Sequence, residues 1–116
     1  MARLLETNKE IDSFIEKVCC EAKHHANGVV DVIKPLSDEV RQQLDVPQKG
    51  TVEVYERKKK LVRTCWVTTP SQARYVFSYN YSSGKIELRD GSTRGKLRFE
   101  FDNTHINQVS DIILDL

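Results

Sequence analysis

Residues 51–102 read TVEVYERKKKLVRTCWVTTPSQARYVFSYNYSSGKIELRDGSTRGKLRFEFD, and the alternation in this stretch decides the fold. Val52 and Val54 alternate with Glu53 and Tyr55, the period of two expected of a half-buried strand. Leu61 to Thr69 is rich in β-branched residues and stops at Pro70, which has no N–H to donate to a ladder. Ala73 to Tyr81 sets Tyr75, Phe77, Tyr79 and Tyr81 against Arg74, Val76, Ser78 and Asn80. Ile86 and Leu88 oppose Lys85, Glu87 and Arg89, and Leu97, Phe99 and Phe101 oppose Lys96, Arg98 and Glu100. Ser82-Ser83-Gly84, Asp90-Gly91 and Gly95 supply the turns. Links this short predict an antiparallel meander of five strands, because a parallel crossover needs a dozen residues or more.

Burying the aromatic side sends Arg57, Arg74, Lys85, Arg89, Lys96 and Arg98 outward with Glu53, Glu87 and Glu100. Lys58, Lys59 and Lys60 form a basic loop beside them, and Tyr55 adds an aromatic. In the second strand an outward Arg63 places Trp66 inward. Inverting the sheet would make Tyr75, Phe77, Tyr79 and Tyr81 a platform for stacking bases. It would also expose Ile86, Leu88, Leu97, Phe99 and Phe101. Each buried Phe is worth about 1.5–3 kcal/mol, so the tyrosines belong inside, with only Tyr79 or Tyr81 at a strand end reaching water.

On the amino-terminal side, Thr7 stands three residues before Glu10, the spacing of a capping box. Ile11, Phe14, Ile15, Val18, Cys19 and Ala22 then share one helical stripe, and Asn27-Gly28 stops the helix, which should run from Asn8 to Ala26. Val29 to Ile33 reads as a short strand or a helix fragment closed by Pro35. Ser37, followed by Asp38 and Glu39, reads as the cap of a second, shorter helix through Leu44. After the sheet, Asn103 or Thr104 should cap a last helix with Ile106, Val109, Ile112, Ile113 and Leu116 on one flank. The expectation is a single α+β domain over residues 1–116, its helices packed on one face of the sheet.

Composition narrows the class. The chain has 116 residues, 39% hydrophobic and 30% charged, enough to bury a core without disulfides or a structural metal. MARLLETNKE has no long apolar run, no segment reaches membrane-spanning length, and three cysteines make a poor disulfide framework. A cytoplasmic setting follows, which makes the sequon Asn80-Tyr81-Ser82 a chance match. Net charge is +1, unevenly spread: residues 1–50 hold seven Lys/Arg and nine Asp/Glu, residues 51–101 hold eleven and five, and residues 102–116 hold none and three.

Two constellations carry possible chemistry. Cys20 and His24, four apart on the outer side of the first helix, have the spacing of two zinc ligands, but a closed site needs more, from His105 or Cys65. Cys65 and His105 also form a nucleophile–base pair in outline, although a cysteine in a β-branched strand is more often core. No GxSxG, HExxH, GxGxxG or GxxxxGKS pattern occurs, and carboxylates set among Arg and Lys are too acidic for general acid work. The expectation is therefore a non-catalytic binding or regulatory protein without cofactor or metal. Its contact surface is Arg57, Lys58, Lys59, Lys60, Arg74, Lys85, Arg89, Lys96 and Arg98, its partner an acidic protein. The alternative is nucleic acid on the same patch. The bland reading is that outward Glu and Arg pair across strands and keep the face soluble. An open meander also leaves edges, so a homodimer through the Leu97–Phe101 strand is expected.

Overall fold

The computed structural model describes residues 2–57 and 62–116, the side chains of Arg57, Val62 and Arg63 excepted. Six strands form one antiparallel sheet in chain order: β1 (Ala2–Leu4), β2 (Thr51–Arg57), β3 (Val62–Thr68), β4 (Arg74–Asn80), β5 (Lys85–Asp90) and β6 (Leu97–Phe101). The meander of β2 to β6 is the expected one. β1 is an addition, because three residues are too few to show a period. It pairs Arg3 with Val54 and so takes the edge that β2 would have formed. Gly84 and Gly91, at φ 69° and 71°, supply the left-handed residues of the last two turns.

Helix α1 (Asn8–His25) begins as expected: Thr7 Oγ1 accepts the Glu10 N–H at 3.1 Å. Its Ile11, Phe14, Cys19 and Ala22 are buried, and Lys23, His24 and His25 in its last turn suit the negative end of the helix dipole. Helix α2 (Ile33–Leu44) starts four residues earlier than Ser37. Pro35 opens it rather than closing a strand, since the first turn of a helix has no use for that N–H. Val29 to Val32 is a succession of turns, neither strand nor helix. Ser37 instead accepts hydrogen bonds from Arg41, one turn on.

The chain end also departs from expectation. Asp102, not Asn103 or Thr104, caps a 3-10 helix (Asn103–Gln108), and α3 (Val109–Leu114) follows. Val109 and Ile113 are buried, whereas Ile106 lies on the exposed 3-10 turn.

Rows across the sheet fix its two faces. Val54, Cys65, Phe77, Leu88 and Phe99 are successive partners on one side, and this side carries the core shared with the helices. Glu53, Trp66, Val76 and Arg89 form the neighbouring row on the other side. Trp66 therefore faces outward, contrary to the sequence reading. Cys65 and Val67 on one side and Trp66 on the other are all apolar, so alternation there could not choose, and the small Cys65 and Val67 took the core side. Val76, the cross-strand partner of Trp66, is almost fully buried although it lies outside the core that the helices close. A register shift after Leu88 pairs Arg89 with Leu97 and leaves Leu97 38% exposed instead of buried. Tyr81, just past β4, is exposed. Among the described residues no helix is long and apolar enough to cross a membrane.

Candidate functional site

The basic residues singled out in the sequence are spread over an open sheet face where most of the described ones already have carboxylates. Arg74 Nη2 is 3.5 Å from Glu53 Oε1, and its guanidinium lies 5.8 Å over the Trp66 ring. Arg89 donates to both oxygens of Glu87, at 3.3 and 3.2 Å, and to the Gly95 carbonyl at 3.0 Å. Arg98 meets Asp90 at 3.0 Å. The hydrogen bond from Arg89 outweighs partial burial and, with Asn80, holds the Glu87 carboxyl below the usual carboxylate range. Lys85 opens β5 and Lys96 precedes β6. Arg57 ends β2, its side chain outside the description, and Lys58, Lys59 and Lys60 lie outside the described residues. The arrangement is a mosaic of paired charges around Trp66.

The two cysteine constellations separate. Cys20 and His24 are both exposed on α1, and among the described residues no group of three His, Cys, Asp or Glu could hold a metal ion. Cys65 sits in β3 between Val54 and Phe77, and burial pushes its thiol up to about 12. It is a neutral thiol at physiological pH, unlike a reactive cysteine. His105 packs edge-on against Phe99, ring centroids 5.0 Å apart, and its Nδ1 accepts the Asp102 N–H at 3.0 Å. Phe99 lies three strands from Cys65, a separation of about 14 Å at normal strand spacing, so the pair does not form.

What the sequence reading missed lies between the layers. An apolar cavity of about 130 Å³ opens between α1, α2 and the inner face of the sheet. Ile11, Phe14, Ile15 and Val18 of α1, with Ile33, Leu36 and Val40 of α2, form one wall. Val52, Cys65, Val67, Phe77, Tyr79 and Ile86 form the other. At the helix side Ser37 and Arg41 supply polar groups. The void has a local cause. The inward residues of β4 to β6 are mostly aromatic, whereas β2 and β3 contribute the smaller Val52, Val54, Cys65 and Val67 to the same face. That run of small inward residues was the available signal. A second, polar hollow lies beside Arg3, Lys9 and Lys17. There Glu56 accepts both Arg3, at 3.5 Å, and Lys17, at 3.9 Å.

Two ion pairs cross from α1 to α2, the first from a residue that lines the cavity: Arg41 Nη1 to Asp12 Oδ1 at 2.8 Å and Lys34 Nζ to Glu16 Oε1 at 3.9 Å.

No curated protein matches this sequence. Residues 11–109, from the first turn of α1 to the start of α3, match the model of a family described as integron cassette protein VCH_CASS1 chain, and the chain belongs to that family.

Proposed function

We propose that this is a non-catalytic cytoplasmic binding protein whose ligand is a small, largely apolar molecule held between α1, α2 and the sheet. The observation that carries the reading is the cavity itself. Protein interiors are packed like organic crystals, with few voids larger than a water molecule. The apolar hollow of about 130 Å³, partly open to solvent, leaves lining side chains whose contacts a guest of matching size would complete. Apolar cavities of about this size accept guests as small as benzene. The three unpaired thiols support a reducing setting.

An acidic protein on the open face is the second reading, and half-buried Trp66 under Arg74 favours it. It is ranked second because such a partner must first displace Glu53, Glu87 and Asp90 from the arginines it would use. Nucleic acid on that face meets the same competition.

The test is a thermal-shift screen of small aromatic and aliphatic compounds on wild type and on Val67→Ile. Val67 is buried in the cavity wall, and the substitution adds one methylene to the void. Wild type should be stabilised by several compounds. Val67→Ile should be more stable alone, by about 0.8 kcal/mol, and should respond less. A screen without any response, alongside a destabilised Val67→Ile, would remove the reading.

A further inference from the structure

Among the described residues lining the cavity, Arg41 alone carries a formal charge. Its guanidinium is held in place from its own helix: Nε and Nη2 both donate to Ser37 Oγ, at 3.2 and 3.1 Å. Nη1 points to Asp12 across the gap between α1 and α2. The two partners differ in setting, since the Arg41 side chain is only 19% exposed and that of Asp12 is 64% exposed.

We propose that the cavity's ligand is a small monocarboxylic acid, its apolar body in the cavity and its carboxylate on Arg41 in the place that Asp12 occupies. The inference rests on the apolar-ligand reading and names the head group. A guanidinium stays charged at any relevant pH and matches a carboxylate with parallel N–H donors. Asp12 holds that position from the solvent side, and an ion pair with one well-exposed member is worth little. Exchanging one carboxylate for another therefore leaves Arg41 neutralised throughout, while the ligand also fills the void. A monoanion fits better than a phosphate dianion, because Lys34, the next cation along α2, is engaged by Glu16.

Wild-type protein would be titrated calorimetrically with benzoate and hexanoate, and with benzamide and hexanol as neutral counterparts of like size. The same titrations would follow on Arg41→Gln and Asp12→Asn. The acids should bind about tenfold more tightly than their neutral counterparts, the contribution of one well-formed charged pair. Arg41→Gln should erase that preference while leaving the neutral compounds unchanged, and Asp12→Asn should tighten the acids alone. Equal binding of acids and neutral compounds to wild type would overturn the role of Arg41 and leave the apolar cavity standing. Binding of neither kind would overturn both. Should Arg41→Gln fail to fold, the wild-type preference and the exposed Asp12→Asn decide the matter without it.

Discussion

The side-chain carbonyl of Asn103 accepts the backbone N–H of Asp31 at 2.8 Å, joining the end of the sheet to the turn that opens α2. The same oxygen takes the Val32 N–H at 3.2 Å, and the amide nitrogen donates to the Asn27 carbonyl at 2.8 Å. Val32, the residue before α2, offers no cap of its own, and Asn103 instead fixes the turn that leads into the helix by holding the N–H groups of Asp31 and Val32. Asn103→Ala removes all three of these bonds and should therefore cost about 2 kcal/mol, at about 0.5–1.5 kcal/mol each with partial replacement by water. Asn103→Asp keeps the acceptor and should recover part of it. Urea unfolding of the two variants measures the difference; an alanine variant as stable as wild type would show that the connection is idle.

That connection also explains what could be read from the sequence. Thr7 and Glu10 cap α1 from three residues apart, and the alternation of β4 and β5 is local, so both were legible. The start of α2 was not, because the side chain that fixes the turn before it lies about seventy residues away and Ser37 offered a plausible local cap. Trp66 was placed on the wrong face because its neighbours Cys65 and Val67 are apolar too, and nothing local ranks them for the core. The cavity is a relation between three elements, and no window of sequence contains it.

Edge strands supply the second prediction. β1 is only three residues long, a common way of blunting an edge, whereas β6 presents five residues with Leu97 exposed. Two copies pairing along β6 should give a dimer at micromolar concentration in sedimentation equilibrium. Leu97→Lys should return it to monomer without loss of stability. A wild-type monomer over the same range rejects this edge as an interface.

The third concerns the thiols. Cys20 is exposed, Cys19 is buried with its thiol pushed up chiefly by desolvation, and Cys65 is pushed up to about 12 by burial. A thiol reagent near neutral pH should label Cys20 first and spare the other two until the protein unfolds. Mass spectrometry of the labelled peptides gives the order. Fast labelling of Cys65 in folded protein would mean that its cavity is open to water and its thiol activated, which would revive a nucleophilic role.

The fourth follows from the sign of the Glu87 shift. Its carboxyl lies below the ordinary range, chiefly through the hydrogen bond from Arg89 and then through Asn80, so the folded form binds its proton less readily than the unfolded chain. Stability from this group is complete above the ordinary carboxylate pKa, about 4.3. It is lost as pH falls through the lowered folded value. Asp102 shifts the same way, led by the hydrogen bond from the Thr104 hydroxyl, and acts in the same window. Glu87→Gln keeps the shape and removes the titration. Its urea midpoint should lie below that of wild type at pH 7 and approach it at pH 3. Parallel profiles for the two proteins would mean that the Glu87–Arg89 pair contributes nothing to acid sensitivity. Adding Asp102→Asn should flatten the acid limb further, by less than the sum of the two single effects, because Glu87 pairs with Glu100 and so lies one diagonal step from Asp102.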